Sequence, residues 1–193
     1  VKLIVGLGNP GEAYADSRHN IGFKVVRALV ACAKAVLKRD RGTFSLSCRE
    51  KIGAEEVILA LPLTFMNLSG VAVKDLARKY KIKIDDLLVV CDCMDLEFGR
   101  LKLRPGGSAA GQRGLQSIIE SLGTQDFARL RVGIGRPSGS RDAADYVLTA
   151  FNRKERSGLR EVLEEAASCC ESWVTKGITE TMNKYNVVPR QNA

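Results

Sequence analysis

Apolar residues along the chain fall into short continuous runs that alternate with longer stretches of 3–4 spacing, the pattern of intermixed strands and helices. Leu3 to Val5 reads as a buried strand ending in a turn made of Gly6, Gly8, Asn9, Pro10 and Gly11. After a polar arm, Ile21, Phe23, Val26, Leu29, Val30, Ala33 and Leu37 predict an amphipathic helix over 21–37, with Asn20 as its N-cap. Lys38 to Gly42 reads as a basic connection. Thr43 to Lys51 and Glu55 to Leu61 read as a pair of strands around the turn Ile52-Gly53-Ala54, and Pro62 ends the second. Ser69 opens a helix through Val73, Leu76 and Tyr80. Leu87 to Val90 suits a short central strand that runs out at Cys91-Asp92-Cys93-Met94-Asp95.

In the second half, Arg100 to Arg104 alternates, with Arg100, Lys102 and Arg104 on one side and Leu101 and Leu103 on the other. A glycine-rich loop from Pro105 to Gly111 feeds a helix whose apolar face is Leu115, Ile118, Ile119 and Leu122. Phe127 to Ile134 is the last strong strand, and Gly135 to Ala144 reads as a loop. A long helix over 153–176 is ended by Gly177, a short helix covers 178–185, and 185–193 reads as a frayed tail. No repeat or linker interrupts this, so 1–193 is expected to be one domain. The expected fold is α/β, in three layers, with a twisted, mixed, mostly parallel sheet covered by helices. Ligand sites in such sheets gather beyond the carboxyl ends of the strands. Asn9, Asn67 and Asp92 each follow a strand end, and His19 lies in the arm leading back from one of them, so all four can meet in one crevice.

Composition narrows the partners. Thirty Lys and Arg against 22 Asp and Glu leave a formal net charge of +8 in 193 residues, which suits a polyanionic partner such as nucleic acid and, equally on charge alone, a merely basic soluble surface. No apolar run is long enough to cross a bilayer, and no signal peptide precedes the first strand, so no membrane partner is expected. The six cysteines lack Cys-x-x-Cys pairing, and one histidine cannot complete a zinc site, so no metal is expected. Cys169 and Cys170 read as core residues, and Cys91 and Cys93 as packing that points away from Asp92. A reducing, cytosolic compartment fits this usage.

His19 is the only histidine, the residue type best suited to act as a general base near neutral pH. A rival reading comes from Gly6-Leu7-Gly8-Asn9-Pro10-Gly11, which matches the dinucleotide fingerprint G-x-G-x-x-G. In that fingerprint the helix begins within the glycines. Here Pro10 and the polar residues 16–20 delay it to Ile21, and no acidic residue ends a second strand about 20 positions on. Asp40 is in the wrong setting.

The motifs together resemble the bacterial-type peptidyl-tRNA hydrolase family. They are Gly6 to Gly11 with Tyr14 and Arg18-His19-Asn20, then Thr64-Phe65-Met66-Asn67-Leu68-Ser69-Gly70, then Asp92 to Asp95, Gly106 to Gly114, and Arg129 to Gly135. Their order and spacing match from residue 2 to about 185. The resemblance implies an enzyme without metal or cofactor that cleaves the ester joining a peptide to the terminal ribose of tRNA. His19 would be the base and Asp92 its partner. Asn9, Tyr14, Met66 and Asn67 would line the substrate site, and Arg104 and Arg131 would hold tRNA phosphates; Lys102 joins them through the position of its basic strand just after the Asp92 loop. A monomer in the cytoplasm, acting in translation and ribosome rescue, is expected.

The chemistry is consistent with those residues. Neutral His19 can take a proton from water, Asp92 can fix its tautomer, and Asn67 can donate to a developing oxyanion. Asn9 can hold the peptide main chain. Each residue also has a structural alternative: Asn9 and Asn20 as turn and cap, Met66 as core, the basic strand as a solvated face. One position departs from the family, which usually has asparagine where this chain has Arg113. Arginine there could carry substrate placement through a phosphate, or could mark a catalytically impaired RNA-binding relative. A small-molecule esterase remains the third class.

Overall fold

The computed structural model describes residues 1–139 and 142–187. Seven strands form one sheet in the order β2-β3-β4-β1-β5-β7-β6. They are β1 Lys2–Gly6, β2 Lys38–Asp40, β3 Ser45–Ile52, β4 Glu55–Pro62, β5 Leu87–Cys93, β6 Leu101–Arg104 and β7 Ala128–Gly133. The four central strands, β4-β1-β5-β7, are mutually parallel. The pairs β2–β3, β3–β4 and β6–β7 are antiparallel, so β2 again runs with the central four. The sheet is mixed and mostly parallel, as expected.

Both faces of the central strands are buried, and alternation divides their side chains between two cores. Ile4, Leu88 and Val90 join residues of α1 (Ile21–Cys32) and α5 (Arg153–Tyr185). Leu3, Val5, Leu87, Val89 and Cys91 join residues of α2 (Ser69–Tyr80) and α3 (Arg113–Leu122). All seven residues of β5 are buried, which explains its apolar run from Leu87 to Cys91. The glycines of the first turn set how close α1 can lie. A Cβ on Gly6 would fall 2.2 Å from the Gly22 carbonyl oxygen, and one on Gly22 of α1 would fall 2.4 Å from the Val90 carbonyl oxygen and 2.5 Å from the Leu7 nitrogen, so the two glycines together let the helix sit flush on β1 and β5. Phe23 N–H donates to the Leu7 carbonyl at 3.2 Å. The glycine motif therefore serves helix packing, and α1 begins outside it.

Several expectations need correcting. The helix expected over 21–37 stops at Cys32, because Lys34 takes a left-handed backbone (φ 52°). Lys38–Asp40 is a short edge strand, not a connection. The central strand extends past Val90 to Cys93, because β7 pairs with it as far as Gly133. The loop expected up to Ala144 gives way to a short helix, α4 (Ala143–Leu148). The reading of the last helices holds: the non-helical backbone of Gly177 (φ 81°, ψ 177°) divides α5 where the helix end was expected, into 153–176 and 178–185. The tail is held at its start: the Asn186 side chain accepts from Leu103 N–H at 2.8 Å and donates to Leu103 C=O at 2.9 Å, capping the edge strand β6. The rest of the tail, residues 188–193, lies outside the described residues. No helix among the described residues is long and apolar enough to cross a membrane.

Candidate active site

The carboxyl ends of β1, β4 and β5 open into a crevice of about 650 Å³. Asp92 stands on β5, two residues beyond the Val90 that pairs with Gly6. It continues the alternation of Leu88 and Val90, so it points toward the α1 side of the sheet. His19 lies there, in a single 3-10 turn (Arg18–Asn20) that runs directly into α1. His19 Nδ1 is 2.9 Å from Asp92 Oδ1. Both residues are buried, at 8% and 4% exposure, so the pair is held in one geometry yet reachable from the crevice.

The neighbours of His19 hold the backbone on either side of it. Arg18 is buried and donates to the Thr149 carbonyl, to Thr149 Oγ1 at 2.5 Å and to the Ala150 carbonyl at 2.7 Å. It also forks onto Glu155 and stacks on the Tyr146 ring. This ties the histidine segment to the chain after α4. Asn20 does not cap α1 with its side chain, contrary to the sequence reading. Its Oδ1 instead accepts from Asn9 N–H at 2.8 Å, and its Nδ2 donates to Asn9 C=O at 2.9 Å. Asn9 in turn accepts from Met66 N–H through Oδ1 at 2.7 Å. One asparagine thus fixes the loop of another, and that second asparagine anchors the start of the 3-10 turn Met66–Leu68.

Asn9, Met66, Asn67 and Arg113 all line the crevice with His19 and Asp92. Met66 is buried at its floor, whereas Asn67 and Arg113 are exposed in it. Tyr14 is not on the crevice wall; it packs edge-on against Phe65, which is, with ring centroids 6.4 Å apart. Cys91 is fully buried, and burial, followed by the charge of Asp92, pushes its thiol well above the ordinary range. It is packing, as expected. Cys93 borders the crevice, which alternation alone did not foresee.

Lys102 and Arg104 line a second groove beside the crevice, and Arg131 borders both. In the β6–β7 ladder, Lys102 lies opposite Arg131 and Arg104 opposite Arg129. Arg129 is entirely buried, and among the described residues no carboxylate forms an ion pair with it. It lies over the Phe127 ring and donates to the carbonyls of Gly107, Ser108, Gln125 and Phe127, holding the glycine-rich loop. Burial and the neighbouring Arg131 lower its pKa.

Sequence reasoning missed one residue of the centre, Gln112. Its Nε2 donates to Asp92 Oδ1 at 3.1 Å and lies 3.3 Å from Met66 Sδ, while its Oε1 accepts from Leu115 N–H at 2.7 Å as the N-cap of α3. The close approach depends on Gly114, where a Cβ would fall 2.5 Å from Met66 Sδ. The unusual choice of glutamine as an N-cap, just before Arg113-Gly114, was the available signal.

The sheet and its crevice define an α/β protein with a buried histidine–carboxylate pair at the strand ends and a basic groove alongside. Residues 3–193 match the family model described as peptidyl-tRNA hydrolase, and the chain belongs to that family. It is 47% identical over 186 residues to a peptidyl-tRNA hydrolase of Desulforudis audaxviator, covering 96% of this chain and 93% of that one. It is 46% identical to that of Syntrophomonas wolfei, covering 96% and 100%. The crystal structure of peptidyl-tRNA hydrolase from Acinetobacter baumannii superposes with a TM-score of 0.90 at 35% identity, over 97% of this chain and 95% of that one.

Proposed function

We propose that the protein hydrolyses the ester of peptidyl-tRNA, releasing peptide and free tRNA, with His19 as the general base. The 2.9 Å contact between His19 Nδ1 and Asp92 Oδ1 inside the crevice carries this reading. A carboxylate accepting from Nδ1–H leaves Nε2 free to accept. Nε2 takes a proton from water, and the resulting hydroxide attacks the ester carbonyl. Asp92 stabilises the imidazolium that forms. The carbonyl oxygen becomes an oxyanion that Asn67 can meet with its amide N–H₂. As the tetrahedral intermediate collapses, the C–O bond to ribose breaks, and the proton on Nε2 passes to the departing ribose oxygen. No electrons change hands, and the reaction calls for neither metal nor cofactor.

Asn9 supports a peptide in the site. Its Oδ1 is occupied by Met66 N–H, so its Nδ2 is the atom left for the crevice. A donor there suits a peptide carbonyl and disfavours a free ammonium. The basic groove supports the tRNA. Lys102 opposite Arg131 sets like charges side by side, an arrangement that a phosphate relieves. Arg113, exposed on the crevice wall, is assigned to a phosphate near the 3′ end.

The test is ester release from an N-acetylated aminoacyl-tRNA, run beside a simple ester lacking tRNA. Release from the tRNA substrate alone supports the hydrolase. Retention of RNA without release would identify a binding relative, and cleavage of the simple ester alone an unspecific esterase. The reading also makes the protein a cytoplasmic monomer. Full activity in EDTA and a single-chain mass by light scattering check the metal and the assembly.

A further inference from the structure

We infer that Gln112 is a positioning residue that holds Asp92 and sets the proton affinity of His19. This rests on the reaction proposed above but is separable from it. Asp92 Oδ1 receives two side-chain donors, His19 Nδ1 at 2.9 Å and Gln112 Nε2 at 3.1 Å. They arrive on one oxygen from different elements, His19 from the turn before α1 and Gln112 from the N-cap of α3. Gln112 is itself held at its other end, because Oε1 accepts from Leu115 N–H at 2.7 Å. The amide is therefore oriented by the helix it caps, with its N–H₂ directed at the carboxylate and at Met66 Sδ.

The consequence is electrostatic. A hydrogen bond donated to a carboxylate draws off part of its negative potential, so less remains to stabilise an imidazolium on the same oxygen. Gln112 thereby lowers the proton affinity of His19 and keeps the base unprotonated to lower pH. It does so without a charge of its own, so its effect is constant across the pH range. The other ionisable groups on the crevice walls are Asp95 and Arg136, paired with each other, Cys93 beside Asp92 on β5, Asp142 before α4, Arg113 on α3 and Arg131 on β7. None of these donates to Asp92 in the structure. Arg18, next to His19 in sequence, is directed at Glu155 and the residues after α4.

One side chain thus has two roles, and two substitutions separate them. Gln112→Ser keeps a good N-cap but is too short to reach Asp92; Gln112→Ala loses both. His19 is the only histidine, so its imidazole can be titrated directly by NMR in untagged protein, whether or not that protein is active. The expected result is an upward move of the His19 midpoint by about 0.5–1 pH unit in both variants. The acid limb of kcat/KM on N-acetylated aminoacyl-tRNA should rise in step, lowering activity below the limb by about three- to tenfold. Thermal stability should fall in Gln112→Ala alone. An unmoved His19 midpoint in both variants would overturn the inference, even if both lost activity, because Gln112 would then act only through α3. A moved midpoint in a protein that releases no peptide would uphold the inference and count against the proposed reaction instead.

Discussion

The proposed reaction centre and the basic groove are neighbours built on opposite principles. At the centre, with the exposed Asn67 as the exception, the polar side chains are buried or half-buried and already engaged: His19 with Asp92, Asp92 with Gln112, Asn20 with Asn9, Asn9 with Met66. Folding alone fixes its geometry. In the groove, Lys102 and Arg131 face each other across the ladder, Arg104 is exposed, and among the described residues no carboxylate forms an ion pair with any of the three. A site for bond breaking must hold its atoms to fractions of an ångström before substrate arrives. A site for a phosphate backbone can use long, adaptable cations that find their geometry on binding. The first should be sensitive to single atoms and indifferent to salt, the second the reverse.

The strongest way to break this division is at the base. His19→Ala should lower kcat by about 100- to 10,000-fold, since general-base catalysis is lost while the fold remains. Affinity for tRNA, measured by filter binding, should stay within about twofold if the groove holds the nucleic acid by itself. A variant that turns over at the wild-type rate would remove His19 from the mechanism.

Asn20→Ala tests whether the centre is fixed by folding. The substitution strips both hydrogen bonds from the buried Asn9 backbone, N–H and C=O alike. At roughly 1–2 kcal/mol for each buried group left unpaired, the loss is about 2–4 kcal/mol. For a chain of this size that lowers Tm by about 5–12 °C. Below the transition, kcat/KM should fall about tenfold, because Asn9 loses its orientation and His19 its neighbour. An unchanged Tm would show that water replaces the clamp.

These two residues mark how far the sequence could be read. The layers were legible because Leu3–Val5 and Leu87–Val90 are apolar throughout, as strands buried on both faces must be. The meeting of His19 and Asp92 in one crevice was legible through motif, as an imidazole beyond one strand end and a carboxylate at another. The contacts that orient them were not, since they join residues far apart: 73 positions for His19–Asp92, 57 for Met66–Asn9 and 20 for Gln112–Asp92. Asn20 satisfied the local rule for an N-cap, but tertiary contact overrode it. β2 was missed because Lys38 and Arg39 are exposed on an edge, where no burial imposes a pattern. α1 was overextended because Leu37 falls in step with the helix period while packing against the same core from outside the helix.

The groove is sharpened by salt. Affinity for tRNA should fall steeply with ionic strength, because each neutralised phosphate releases condensed counterions. Arg131→Ala should reduce the log–log slope by about 0.9 if it meets one duplex phosphate, and weaken binding by about three- to tenfold near physiological salt. Arg104→Ala should behave likewise, and cleavage of a minimal ester lacking the tRNA body should be untouched by either. An unchanged slope in both would make the groove a solvated surface.

The smallest effect is expected at Arg113, which belongs to both regions: a groove-type cation on the wall of the centre. It is the first residue of α3, where the helix dipole disfavours a positive charge by about 0.3–1 kcal/mol. Arg113→Asn should therefore raise Tm by about 1–3 °C, since it removes that repulsion. The same change should weaken full-length substrate about two- to threefold and reduce the salt slope by about 0.7, the value for one phosphate of a single strand. His19-dependent kcat should persist. A gain in ester release instead would mean that the guanidinium obstructs the crevice, and that this chain sits toward the RNA-binding end of its family. If neither binding nor release changes while Tm still rises, Arg113 is directed to solvent, and the boundary between the two regions falls at Arg131.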